Sequence, residues 1–172
     1  PKVGYRAGMD ALLLGAAVPA IAGQRVLDVG CGVGTAGLCL ARRVPDVRVT
    51  GLELQMELHA LAMMNAEKNG LSHRVDFVRG DLRVKGGVLA ARSFDHVIGN
   101  PPFIAEFKGR SSDSTRADLS KRESNADLAD WIDAMMYWVK ERGFITIVYR
   151  ADRLHEIIDL LSPRVGGFRV CP

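Results

Sequence analysis

FDHVIGNPPF, residues Phe94 to Phe103, joins an apolar run to a rigid turn. Two consecutive prolines cannot continue a central strand, because neither offers an N–H to the ladder, so the strand stops and the chain turns outward. The loop therefore begins at a carboxyl strand end, the edge at which open α/β sheets bind ligands. Asn100 brings an amide that can both donate and accept, Pro101 and Pro102 stiffen its setting, and Phe103 adds a flat apolar face. The plain alternative is that these four residues only end a strand.

Upstream, RVLDVG from Arg25 is a β-branched run that predicts a first strand, followed by the glycine-rich CGVGTAG and a helix from Thr35 to Arg43 that Pro45 ends. RVTGLE predicts strand two, Met56 to Asn69 a helix, and RVDFVRG strand three, reaching Asp81. Leu82 to Arg92 is weakly patterned, and FDHVIG is strand four. Downstream, Asp127 to Glu141 reads as a helix whose Trp131, Met135 and Trp138 recur at core spacing. GFITIVY is strand five, Asp152 to Leu161 a helix, and GGFRV the start of strand six. The alternation predicts an α/β, doubly wound, mostly parallel sheet with right-handed crossovers, its C-terminal closing strand missing. One domain is expected over residues 1–172, with 1–23 as an N-terminal segment and 24–172 as the core.

Composition narrows the class. The 172 residues are 48% apolar and carry a net charge of +3, which permits an anionic partner such as RNA without requiring one. Cys31, Cys39 and Cys171 make no C-x-x-C pair, so we read them as packing residues in a reducing, cytoplasmic setting. ALLLGAAVPAIAG, preceded by Lys2 and Arg6, imitates a signal peptide, but Asp10 interrupts it and Pro19 breaks it. It reads as a helix from Ala11 to Val18, capped by Asp10, and is too short to span a bilayer. His59, His73, His96 and His155 are scattered and show no metal spacing, so no metal is expected; we read them as surface or partly buried. No motif sets the oligomeric state.

The loop after strand one contains Gly30, Gly32 and Gly34, which let backbone approach a ligand between a strand and a helix. Gly32-x-Gly34-x-x-Gly37 also satisfies a dinucleotide fingerprint, with Glu53 at the spacing of a ribose-binding acid, so a nicotinamide oxidoreductase stays open on the motif alone. Asp28 separates the two readings. A carboxylate at the end of strand one repels a pyrophosphate and favours the ammonium and sulfonium of S-adenosylmethionine. Its alternative role is to cap the following turn. Glu53, ending strand two, can accept from both ribose hydroxyls, or be a solvated strand end. Asp81, closing strand three, is within reach of an adenine edge, or caps a helix.

Together VLDVGCGVG, the acid of VTGLE, Asp81 in GDL and NPPF resemble the motifs of class I S-adenosylmethionine-dependent methyltransferases that act on exocyclic amino or amide nitrogens. GYRAGMDALLLGAA is similar to the segment ahead of the cofactor loop in the tRNA adenine-N6 methyltransferase group. The chain departs from that group at Gly8-Met9-Asp10-Ala11, where Thr-Asp-Gly is common. The resemblance implies cofactor binding by Asp28, Gly30, Gly32, Gly34, Glu53, Asp81 and Asn100, and catalysis by Asn100, Pro101, Pro102 and Phe103. It implies an acceptor in structured RNA such as tRNA, with a guanine amino group or a protein glutamine amide as alternatives. A catalytically silent cofactor-binding scaffold is the remaining option.

An exocyclic amine is a poor nucleophile because its lone pair is delocalised into the ring. Accepting its two N–H bonds at the Asn100 oxygen and the Pro101 carbonyl would draw the nitrogen toward tetrahedral geometry, while Phe103 stacks on the base. The polar stretch Lys108 to Arg122, whose basic residues are interspersed with acids, is expected to contact nucleic acid or else to be a solvated connection.

Overall fold

A computed structural model describes residues 8–102 and 126–172. Phe103 and the stretch Lys108 to Arg122 lie outside the described residues. Five strands form one sheet: β1 (Arg25–Val29), β2 (Arg48–Glu53), β3 (Val75–Arg79), β4 (Phe94–Gly99) and β5 (Val139–Ile147). Their order is β3-β2-β1-β4-β5 and every pairing is parallel. The winding therefore reverses between β1 and β4. Their carboxyl ends flank the crevice in which doubly wound sheets bind ligands.

Among the described residues, five α-helices flank the sheet: α1 (Met9–Ala17), α2 (Thr35–Arg43), α3 (Met56–Lys68), α4 (Leu128–Trp138) and α5 (Leu154–Leu161). Because strand side chains alternate, β1 feeds two cores. Val26 packs with Val49, Ile98, Leu14 and Leu40 of the α1 and α2 side, while Leu27 and Val29 pack with Trp131, Met135 and Trp138 of α4. Arg43, in the last turn of α2, donates to the Gly15 and Val18 carbonyls and so satisfies the end of α1. Asp127 and Asp130 form a capping box that fixes the start of α4.

Five expectations are corrected. Gly8, not Asp10, is the N-cap of α1, with Asp10 in its first turn. Helix α4 ends at Trp138 rather than Glu141, and β5 starts there, because Lys140 pairs with Asp95 and Glu141 with Arg92. Residues GGFRV form no strand; Phe168 and Val170 are exposed, with no neighbouring strand to complete their hydrogen bonds, and β5 is an edge of the sheet. His96 is wholly buried, its Nε2 2.8 Å from Gln24 Oε1, whereas Cys171 is exposed. No helix among the described residues is long and apolar enough to cross a membrane.

Candidate functional site

At the carboxyl ends of β1, β2 and β4 lies a cleft of about 220 Å³. Its walls include Gly30, Gly32, Glu53, Asp81, Asn100, Pro102 and Trp131. Chain segments far apart in sequence meet there because each ends a strand beside the reversal point. A larger hollow of about 510 Å³ lies at the opposite, amino edge of the sheet.

The glycine loop is held from three directions. Gly30, Gly32 and Gly34 have φ of 62°, 58° and 82°, a left-handed path that most side chains resist. At Gly30 a Cβ would stand 2.3 Å from the Trp131 ring, and at Gly34 one would stand 2.7 Å from Phe77. Glu53 Oε2 accepts the Gly32 N–H at 2.8 Å, while Oε1 accepts that of Gln55 at 2.9 Å. Asn65, from α3, donates to the Val33 carbonyl at 3.0 Å. Glu53 thus carries a structural role that the strand-end position did not disclose. Its oxygens retain lone pairs for further donors from a ligand.

Asp28 lies beneath this loop, only 3% exposed, and does not line the cleft. Its Oδ2 accepts the Gly37 N–H at 3.2 Å, capping the first turn of α2 as the turn-capping alternative foresaw. Burial pushes its carboxyl up from the ordinary 3.8 to about 7; the Gly37 hydrogen bond opposes this and neighbouring Glu53 adds to it. Burial, then Asp28 and Glu53, likewise push up the Cys31 thiol. Where Asp28 gives up its proton, two carboxylates facing so little solvent make the region receptive to a cation and hostile to a pyrophosphate.

Asp81 does line the cleft, but it caps no helix. It accepts the Arg83 backbone N–H at 2.9 Å and pairs with the Arg83 guanidinium, whose hydrogen bonds hold its carboxyl below the usual range. The Asp-x-Arg spacing was visible in the sequence and is the sign that could have revealed this pair.

Asn100 stands directly beyond β4. Its Oδ1 is buried and has no hydrogen-bond partner among the described residues, as does Trp131 Nε1. Pro101 is buried, and exposed Pro102 forms part of the cleft wall. Gly34 is buried behind the wall rather than in it. Trp131 was expected as core; it is 5% exposed and belongs to both the core and the cleft. Helical spacing explains the first role, and only the fold reveals the second. Among the described residues, no group of three His, Cys, Asp or Glu side chains could hold a metal ion.

An all-parallel reversed sheet with a glycine loop between β1 and α2 defines a doubly wound, Rossmann-like fold, and known proteins place it among the methyltransferases. The methyltransferase small domain model matches residues 8–117, and the chain belongs to that family. A Klebsiella pneumoniae protein named tRNA1(Val) (adenine(37)-N6)-methyltransferase is 31% identical over 88% of this chain and 61% of its own length. A protein of the same name from Actinobacillus pleuropneumoniae is 26% identical over 92% of this chain and 65% of its own length. The chain thus spans less than two thirds of these relatives. Among solved structures, an Agrobacterium tumefaciens protein titled a "predicted O-methyltransferase" superposes with a TM-score of 0.73 at 26% identity, covering 92% of this chain and 70% of that one. A S-adenosylmethionine-dependent methyltransferase from Thiobacillus denitrificans, in complex with S-adenosylhomocysteine, shares the fold: TM-score 0.58, 22% identity, covering 82% of this chain and 48% of that one.

Proposed function

We propose that this protein is an S-adenosylmethionine-dependent N-methyltransferase that modifies the N6 amino group of adenine in structured RNA such as tRNA, acting in the cytoplasm. The observation that carries the reading is the buried, unpartnered Asn100 Oδ1 at the cleft beside the β1–β4 reversal. Leaving such an acceptor unpaired costs about 1–3 kcal/mol, which a donor N–H from a ligand would recover. The choice of adenine in tRNA is supported by what the relatives are named for.

The residues present fit the cofactor. Glu53 has free acceptor capacity for ribose hydroxyls, the left-handed glycines let backbone approach, and Asp28 favours positive charge from beneath the loop. S-adenosylmethionine would supply an electrophilic methyl group carried on a sulfonium. On the acceptor side, the Asn100 oxygen and the Pro101 carbonyl would take hydrogen bonds from the amino group, localise its lone pair and hold its proton until water removes it. Phe103 would stack on the base. The same acceptors suit a guanine amino group or a glutamine amide, so the test offers both kinds of acceptor.

The decisive experiment is single-turnover methylation of total tRNA and of release-factor protein, side by side, with wild type and Asn100→Ala. We expect label in tRNA, and a loss of about a hundredfold to a thousandfold in the variant with cofactor affinity nearly intact, because the interaction strengthens in the transition state. Label in protein alone would move the acceptor to an amide, and an unimpaired variant would refute the role of Asn100. A parallel titration with S-adenosylhomocysteine and NAD excludes the oxidoreductase reading if only the former binds.

A further inference from the structure

At the amino edge of the sheet, far from the glycine loop, three arginines stand side by side. Arg25 of β1 and Arg48 of β2 are register partners, and Arg74 is the last turn residue before β3, its carbonyl accepting the Val49 N–H at 2.9 Å, which places it next to Arg48. Equal register puts the Arg25 and Arg48 side chains on one face at a strand spacing of about 4.8 Å, and Arg74 joins them at the hollow from the turn before β3. All three line the hollow of about 510 Å³. Among the described residues, β3 and β4 are joined without a helix.

Like charges at neighbouring positions of a sheet oppose one another and normally call for a counterion. Here no carboxylate forms an ion pair with any of the three guanidiniums among the described residues, although Asp95 accepts the backbone N–H of Arg25 at 2.8 Å. The one acid lining the hollow, Asp76, accepts from Thr50 Oγ1 at 2.9 Å. Two of the arginines are nonetheless ordered. The Arg25 guanidinium lies 4.9 Å over the Phe94 ring, and Arg74 donates to the Val44 carbonyl at 3.1 Å and to His73 Nε2 at 3.3 Å. Each retains N–H donors, and guanidinium forks match phosphate oxygens.

We infer that this arginine row is a phosphate-binding surface that holds the phosphodiester backbone of the RNA substrate away from the reacting base. The inference rests on the acceptor being RNA. Strands of 5–6 residues separate this row from the cleft by roughly 20 Å. A base in the cleft cannot itself reach the row, whereas the backbone of a folded RNA can. The row would therefore select for folded RNA by shape and charge, not by sequence.

The test uses the full chain, bulk tRNA and a salt series, comparing wild type, the Arg25→Gln/Arg48→Gln/Arg74→Gln triple variant, and Arg48→Glu. In both variants S-adenosylhomocysteine binding by calorimetry should be unchanged, which reports an intact fold and cofactor cleft. Affinity for tRNA should fall at least about tenfold in the triple variant, with the slope of log affinity against log salt reduced by about 2–3, as expected for three lost phosphate contacts. Arg48→Glu, altering a side chain that makes no hydrogen bond among the described residues, should weaken binding in the same direction. Unchanged affinity and slope in both variants, while wild type still methylates tRNA, would overturn the arginine row alone. Wild type that neither binds nor methylates tRNA would overturn the RNA reading itself.

Discussion

Replacing Asp28 with Asn tests the electrostatic design of the cofactor side directly. In the unliganded protein, burial first and Glu53 second raise the Asp28 carboxyl from 3.8 to about 7, against the pull of the Gly37 hydrogen bond. Below pH 4 the group is protonated in both folded and unfolded chains. Between pH 4 and 7 the unfolded chain gives up this proton while the folded chain keeps it, so stability falls as pH rises and levels off above 7. The gap in pKa corresponds to about 4 kcal/mol at the plateau and about 2 kcal/mol at pH 5. Asparagine cannot ionise, yet its oxygen can still accept the Gly37 N–H. Asp28→Asn should therefore gain stability over wild type by an amount that grows by about 2 kcal/mol between pH 5 and 8, measured by urea unfolding. Buried His96, held below its ordinary pKa by burial, contributes stability that is lost as pH falls; it is common to both proteins and cancels in the difference. Binding should show the opposite trend: wild-type affinity for S-adenosylmethionine rises toward pH 7 as the carboxylate forms, and the variant binds more weakly without that rise. A stability difference that does not change between pH 5 and 8 would refute the reasoning.

Further outcomes follow from the loop contacts. Glu53→Gln keeps the size of the side chain but turns one acceptor of the Gly32 and Gln55 amides into a donor. S-adenosylmethionine affinity should fall by about 1–3 kcal/mol by calorimetry, and unchanged affinity would remove Glu53 from the site. Gly30→Ala puts a methyl group 2.3 Å from the Trp131 ring at a φ of 62°, and should cost about 1–3 kcal/mol in urea unfolding. Trp131→Leu in the same chain should recover part of that loss, and a purely additive double variant would separate the two residues.

Much of this was legible in the sequence because it depends on local chemistry. Strands β1 to β4 announce themselves by β-branched runs and by the residues that stop them, and the glycines after β1 can only mark a turn between strand and helix. What stayed hidden depends on tertiary placement. Lys140 and Glu141 fit a helical pattern, but Val139 pairs with Phe94 of β4 and β5 begins four residues before the expected Gly143. Asp28 and Glu53 were chosen for their charge, yet each also satisfies a backbone amide of the loop or helix that follows β1. Strand ends show which residues reach the edge, not which of them turn beneath it. Asp28 lies below the cleft for that reason, while Glu53 stands in its wall.

Trp131 shows how the two sides of the site are coupled. Its ring fills the space beside Gly30, in the cofactor loop, and stands 3.3 Å from where a Cβ of Gly99 would be, the residue directly before Asn100. One rigid side chain therefore spaces the glycine loop from the Asn100 turn across the β1–β4 reversal. Its own position is set from a third direction, by the Asp127–Asp130 capping box that starts α4 and by the packing of Met135 and Trp138 onto Leu27 and Val97. A helix that follows the acceptor turn in the chain thus packs back between the turn and the loop. If the proposed function holds, the register of α4 sets how far Asn100 stands from the methyl donor, a distance on which transfer rates depend steeply.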